Sequence, residues 1–138
     1  MSEAGYLIDT NVVSEGRRKR GDPRVALFMR GLEGEPVFIS VLTLGELHKG
    51  AELTRRNDAR GAAALDRWIA EVENAYSDRT IMIDRPIAEI WGRLAAARPR
   101  PVIDGLIAAT AIAHDLTLVT RNTRDFADTG VALVNPWE

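Results

Sequence analysis

The segment Tyr6-Leu7-Ile8-Asp9-Thr10-Asn11 contains three consecutive apolar residues that end at an acid. An apolar run without alternation predicts a strand covered on both faces, as strands of a parallel sheet are. Four later runs have the same character and predict four more strands. They lie at residues 37–39, 80–83, 116–119 and 131–134.

Helical patterns lie between the predicted strands, at residues 23–30, 43–53, 60–76, after Asp84, and at 104–114. Asp22 followed by Pro23 is a typical helix start. The last helix is apolar on nearly every side, which predicts a buried position. Strands that alternate with helices predict an α/β fold with a central parallel sheet of about five strands.

Length and composition limit the classes of protein. A chain of 138 residues predicts one domain over residues 1–138, with 46% hydrophobic and 28% charged residues, as in globular proteins. Cysteine is absent from the sequence, which excludes disulfides and thiolate metal sites. The longest apolar run is too short for a membrane span, and the first residues do not resemble a signal peptide. We therefore expect a cytoplasmic protein without a membrane segment.

The formal net charge of −2 does not indicate a nucleic-acid binder, but the basic residues are clustered. One block occupies residues 17–20, a second contains Arg55 and Arg56, and a third contains Arg98 and Arg100. A solvated loop and a phosphate contact both explain such blocks. Trp68 and Trp91 have helical spacing among apolar neighbours, which favours core or dimer contacts over base stacking.

Four acids fall at the end of a predicted strand or the start of a predicted helix: Asp9, Glu46, Asp104 and Asp125. Ligands of open parallel sheets bind beyond the carboxyl ends of the strands, so the fold could bring these acids together. Carboxylates that lie so close together repel one another unless they share a cation. Oxygen ligands select Mg²⁺ or Mn²⁺, which support attack of water on phosphate esters. The residues thus predict metal-assisted phosphoryl chemistry without choosing a substrate.

Each acid also has a purely structural explanation. Asp9 could form an Asx turn or cap a helix that begins near Asn11. Glu46 fits a capping box with Thr43. Asp104 could favour the helix dipole, and Asp125 could belong to an ordinary polar turn. These explanations remain open for each residue taken singly, whereas a metal site explains all four together.

Four motifs then occur in the order of a known family. They read LIDTNVVSE at 7–15, SVLTLGEL at 40–47, VIDGLIAATA at 102–111 and LVTRNTRDF at 118–126, followed by VNPW at 134–137. In these motifs, which span nearly the whole chain, the sequence resembles the PIN-domain ribonucleases, specifically the VapC-type toxins of VapBC toxin–antitoxin pairs. The resemblance implies a PIN-like α/β/α sandwich with a central parallel sheet.

The resemblance also implies roles for individual residues. It implies a set of metal ligands for Mg²⁺ or Mn²⁺: Asp9, Glu46, Asp104 and Asp125. It implies a set of polar residues that support them: Thr10, Asn11, Thr120 and Asn122. The implied activity is endoribonucleolytic hydrolysis by metal-activated water that leaves a 5′-phosphate and a 3′-hydroxyl. The implied partners are single-stranded or looped RNA, a second copy of the chain, and a VapB-type antitoxin whose C-terminal segment occludes the site.

Basic side chains such as Arg17, Arg18 and Arg121 are candidates for guiding the RNA backbone.

Three other functions remain open. An aspartate-nucleophile phosphatase would use Asp9, although Asn11 cannot replace its second, acidic residue. A phospho-acceptor signalling domain needs a lysine at the sheet edge, and neither Lys19 nor Lys49 follows a predicted strand. A catalytically silent PIN-like module would bind RNA or protein without cutting.

Overall fold

The computed structural model describes residues 4–138, in which five strands alternate with seven helices. The strands are β1 (Tyr6–Ile8), β2 (Val37–Ser40), β3 (Thr80–Ile81), β4 (Thr117–Val119) and β5 (Leu133–Val134). The helices are α1 (Thr10–Glu15), α2 (Pro23–Gly31), α3 (Val41–Arg55), α4 (Ala59–Ala75), α5 (Arg85–Ala97), α6 (Val102–Ala113) and α7 (Thr123–Phe126). A 3-10 turn, Ala127–Thr129, follows α7.

The strands form one parallel sheet in the order β3-β2-β1-β4-β5. The chain therefore builds outward from β1 to β3, and then crosses to the other side of β1 for β4 and β5. Tyr6 in β1 is paired with Val37 on one side and with Thr117 on the other. This crossover makes the gap between β1 and β4 the topological switch point, where ligands of such sheets bind. The predicted parallel α/β sandwich is confirmed.

Alternate residues of the strands face two separate cores, which places helices on both faces of the sheet. Tyr6 and Ile8 belong to the core that includes Val12, on the side of α1 to α4. Leu7 points to the opposite core, with Ile107 of α6. The prediction of a buried helix is confirmed for the middle of α6, where six of its twelve residues are buried.

The helix starts confirm the predicted cap at Asp22, add one at Asp84 and correct the one at Thr43. The carboxylate of Asp22 accepts a hydrogen bond from the N–H of Arg24 (2.8 Å), and that of Asp84 accepts one from Ile87 (3.1 Å). The capping box proposed for Thr43 and Glu46 is wrong. Helix α3 begins directly after β2, and the Ser40 hydroxyl caps it through the N–H of Leu42 (3.0 Å), one turn before the predicted position.

The two edge strands are shorter than the apolar runs that predicted them. Residues 82–83 follow β3 outside the sheet, and residues 131–132 precede β5 outside it. An edge strand pairs on one side only, so pairing ends sooner there than in the centre of the sheet. Within residues 4–138, no helix combines the length and apolar character that crossing a membrane requires.

A matched pair of leucine substitutions tests the assignment of the core. Leu7 in the central strand is 0% exposed, whereas Leu27 in α2 is 65% exposed. We expect Leu7→Ala to lower the free energy of unfolding by about 2–5 kcal/mol, because it leaves a cavity in the centre of the fold. Leu27→Ala should change it by less than about 0.5 kcal/mol. Urea denaturation of both variants measures the difference, and equal losses would contradict the described core.

Candidate metal centre

The switch point brings Asp9 and Thr120 into contact at the carboxyl edge of the sheet. Each residue directly follows a strand, Asp9 after β1 and Thr120 after β4. The N–H of Asp9 donates to the carbonyl of Val119 (2.9 Å). The buried hydroxyl of Thr120 donates to Oδ2 of Asp9 (2.8 Å). Two residues 111 positions apart are thus fixed to one another by the neighbouring strands.

Asp9 is a buried acid whose hydrogen-bond donors are all uncharged. Its other oxygen, Oδ1, accepts from the N–H of Thr10 (2.8 Å) and so caps α1, and Nδ2 of Asn11 lies 3.4 Å from Oδ2. Asp9 is only 7% exposed. Burial raises the pKa of its carboxyl above the ordinary value, and the charge of Glu46 adds to the rise, while the bonds from Thr120 and Thr10 oppose it. Asp9 therefore caps α1 and also belongs to the group of acids at this edge.

Glu46 is joined to the same edge through Thr10. The Thr10 hydroxyl donates to Oε1 of Glu46 (2.6 Å), and its oxygen lies 3.1 Å from the hydroxyl oxygen of Thr43. Thr43 is completely buried in the first turn of α3. Thr10 thereby ties the start of α1, beside Asp9, to the first turns of α3. Sequence reasoning missed this role of Thr43, although its position three residues before Glu46 places both on one helix face.

Asp104 and Asp125 complete the acidic edge from the other side. Asp104 is half-buried in the first turn of α6, whereas Asp125 is exposed on α7. Partial burial raises the pKa of the Asp104 carboxyl above its ordinary value. The negative charges of Asp9, Asp125 and Glu46, in decreasing order of effect, raise that pKa further. Three acids from other segments of the chain therefore affect the protonation of Asp104.

Arg100 links the segments that carry Asp104 and Asp125. Its guanidinium forms two hydrogen bonds to the Asp128 carboxylate (2.8 and 3.3 Å), and its side chain is only 4% exposed. Asp128 lies in the turn after α7, and Arg100 lies just before α6. This pair is a second feature that sequence reasoning missed, since a solvated loop and a phosphate contact both explain the basic residues 98 and 100.

Gly105 keeps α6 close to α5 next to Asp104. A Cβ atom at this position would lie 3.0 Å from Cδ1 of Trp91 and 3.4 Å from Cδ of Arg100. Any larger residue would therefore require one of these side chains, or α6 itself, to shift by a few tenths of an ångström. The absence of a side chain at position 105 therefore helps to fix where Asp104 stands.

The predicted supporting residues differ in how they contribute. Oδ1 of Asn11 accepts from the N–H of Arg121 (3.3 Å), which joins α1 to the segment after β4. Asn122 contributes its backbone N–H, which donates to the Thr120 hydroxyl (3.1 Å). The side chain of Asn122 has no hydrogen bond to any of residues 4–138.

Many of the basic residues are held in internal contacts. Arg55 pairs with Glu52 on its own helix, α3, and with Asp66 on the neighbouring helix, α4. Arg18 pairs with Glu15 (3.0 Å), and the Arg121 guanidinium carbon lies 4.8 Å from the centre of the Trp137 ring. Arg17 remains exposed, without an ion pair to any of the residues described.

The donor chemistry of the edge fits a hard divalent cation. Within residues 4–138, no basic side chain forms an ion pair with Asp9, Glu46, Asp104 or Asp125. A buried carboxylate surrounded by further acids is costly unless a positive charge neutralises it. In the same part of the chain, no three acidic or histidine side chains form a ready-made ligand cluster. The acids share an edge and repel one another, but their side chains do not converge on one point.

Comparison with known proteins finds relatives that cover nearly the whole chain. Toxin FitB of Neisseria gonorrhoeae is 33% identical over 136 residues, which is 95% of this chain and 97% of FitB. VapC ribonuclease Y4jK of Sinorhizobium fredii is 31% identical over 137 residues, or 96% and 97% of the two chains. The crystal structure of FitAcB from Neisseria gonorrhoeae superposes with a TM-score of 0.86 at 31% identity, covering 96% of this chain and 99% of that one. The family profile described as PIN domain matches residues 6–132, and the chain therefore belongs to the PIN-domain family.

Proposed function

We propose that this chain is a divalent-metal-dependent endoribonuclease and the toxin of a type II toxin–antitoxin pair. Its metal ligands are Asp9, Glu46, Asp104 and Asp125, and its ion is Mg²⁺ or Mn²⁺. The observation that carries the proposal is the buried Asp9 carboxylate, which has uncharged hydrogen-bond donors and interacts electrostatically with Glu46 and Asp104. An edge of this kind attracts a hard cation and, once neutralised, a phosphodiester.

The side chains around the acids act as positioning groups. Thr120 and the N–H of Thr10 hold the two oxygens of Asp9, so that this carboxylate keeps one orientation. The Thr10 hydroxyl holds Glu46 in the same way. A bound divalent ion would supply Lewis-acid stabilisation of the phosphate and a nucleophile derived from water at neutral pH. In the hydrolysis, the water oxygen bonds to phosphorus and the P–O3′ bond breaks, which leaves a 5′-phosphate and a 3′-hydroxyl.

The substrate and partners follow from the relatives that share most of this chain's length. Y4jK is named a VapC ribonuclease and FitB a toxin. A further neighbour at 31% identity and a TM-score of 0.64 is a toxin–antitoxin complex from Klebsiella pneumoniae. We extend these properties to this chain, as a single domain that cuts RNA in the cytoplasm, forms a homodimer and binds a cognate VapB-type antitoxin.

Cleavage of a labelled single-stranded RNA tests the activity. We expect wild-type protein to cut with Mn²⁺ or Mg²⁺ and not with EDTA. Asp9→Asn and Asp104→Asn should each lower the rate at least about 100-fold, because each removes a charged ligand while keeping the size of the side chain. The rates are measured from product bands on denaturing gels with purified, antitoxin-free protein.

Asp78→Asn is the matched control, since Asp78 is 84% exposed and precedes β3 at the opposite edge of the sheet. It should cut like the wild type. If all three variants cut equally, the activity belongs to a contaminant and the proposal is wrong. RNA binding without cutting, in any of the ions, would support the silent module instead.

The raised pKa of Asp9 predicts how stability depends on pH. Because folding raises this pKa, the folded chain binds the proton more tightly than the unfolded chain. The resulting stabilisation is present at low pH and is lost as the pH rises through the raised pKa. In EDTA at pH 7, Asp9→Asn should therefore melt at a higher temperature than the wild type, and the gap should close as the pH falls toward 4.

Addition of Mn²⁺ at pH 7 should reverse that order. A ligand that binds only the folded state raises the midpoint of wild-type unfolding, whereas Asp9→Asn gains less because it binds the ion more weakly. Thermal melts followed by circular dichroism measure both effects. An Asp9→Asn variant that melts lower than the wild type in EDTA would show that the charge of Asp9 is not a cost in the folded protein.

A further inference from the structure

A pocket of about 220 Å³ opens beside Glu46, between α1, α3 and α4. Its walls include Leu47 and Leu65, and Trp68 and Arg17 stand at its side. The indole of Trp68 is half-buried and packs partly against the core. The pocket thus joins an apolar interior to an aromatic ring and a basic residue.

The pocket is continuous with the acidic edge. Thr10 and Glu46, whose side chains are hydrogen-bonded to each other at 2.6 Å, both line it. A polynucleotide with one phosphate bound at the acids would therefore place the adjacent nucleotide in this pocket.

Arg17 and Trp68 together suit a nucleotide. The guanidinium carbon of Arg17 lies 6.0 Å from the centre of the Trp68 ring, which is the outer limit of a cation–π contact. Because a contact at this limit is weak, a planar base can displace Arg17 from the Trp68 ring and leave its guanidinium to a phosphate. Aromatic rings that stack unpaired bases beside basic side chains that contact phosphates are the usual means of binding single strands.

A second cavity shows why the aromatic pocket is the better candidate. It measures about 420 Å³ and flanks Glu46 along another face of α3, where Lys49 and Ile103 line it. No aromatic ring is among its lining residues, so it offers no stacking surface. With a net charge of −2 and four acids at the edge, the protein attracts RNA weakly overall. Local contacts must therefore supply the affinity.

We propose that this pocket binds the base of the nucleotide adjacent to the scissile phosphate, with Trp68 as its stacking surface and Arg17 as its phosphate contact. The inference rests on the proposed function, since it names a subsite of the same RNA-cutting site. The ring of Trp68 has two roles, because its inner part packs on the core as the sequence predicted and its outer part serves the substrate.

A cycle of substitutions in protein and RNA tests the contact. The protein series is wild type, Trp68→Phe and Trp68→Leu, and the RNA series is a single-stranded oligonucleotide in which one base at a time is removed around the cut. In the wild type, removal of one particular base next to the cut should lower kcat/KM about tenfold. In Trp68→Leu the intact RNA should show that same loss, and removal of the base should cost little more. Trp68→Phe, which keeps an aromatic face, should retain most of the effect of the base.

Arg17→Gln tests the phosphate contact, with Arg67→Gln on α4 as its matched control. Both remove one exposed arginine, but Arg67 is not among the residues that line the pocket. Arg17→Gln should raise KM several-fold with little change in kcat and should weaken the salt dependence, whereas Arg67→Gln should leave both near wild type. Circular dichroism checks that all variants are folded, and Trp68→Phe with Arg17→Gln carry the test if Trp68→Leu is not.

The outcomes separate the two proposals. A wild type that cuts no RNA in any ion would remove the proposed function and this subsite with it. Cutting by the wild type with additive losses in the cycle would remove the subsite alone. Unchanged RNA kinetics in Trp68→Leu, together with weaker binding of the antitoxin, would assign the pocket to the protein partner and also overturn the inference.

Discussion

The buried carboxylate of Asp9 is the constraint on which the rest of the site depends. A carboxylate buried at the edge of a sheet is costly, and the fold offsets that cost with hydrogen bonds from Thr120 and from the first N–H of α1 instead of a basic partner. Neutral donors hold the charge in place without cancelling it. The pKa of Asp104, which its own burial already raises, is raised further by the charge of this carboxylate.

Hydroxyl groups connect the separate segments of the site. Thr10 joins α1 to α3 through Glu46 and Thr43, and Thr120 joins β4 to β1 through Asp9. A threonine is short and branched, so its hydroxyl has few orientations once the residue is buried. The acids on this side are consequently fixed by packing in the core. On the other side, the ion pair of Arg100 with Asp128 performs the corresponding task for the segments of Asp104 and Asp125.

Much of the fold could be predicted from local pattern, whereas the contacts between segments could not. The apolar run before Asp9 and the near-continuous apolar helix after Asp104 indicated a parallel sheet with both faces covered. The edge on which the acids lie followed from the rule that strand ends meet. The order of the strands, and with it the pairing of Asp9 with Thr120, depends on packing between residues 111 positions apart and leaves no local signal. For the same reason the local sequence predicts a helix cap at Thr43. Its actual neighbour, Thr10, is 33 positions away in the chain.

The strand order also has a consequence during synthesis of the protein. A ribosome produces β1, β2 and β3 first, and these strands can already pair in that order on one side of the centre. The other side of β1 stays open until β4 has emerged, so until then Asp9 has no Thr120 to hold it. A nascent chain therefore carries an incomplete set of contacts around the proposed metal ligand Asp9 through most of its translation, and these contacts are completed only after the crossover strand has been made.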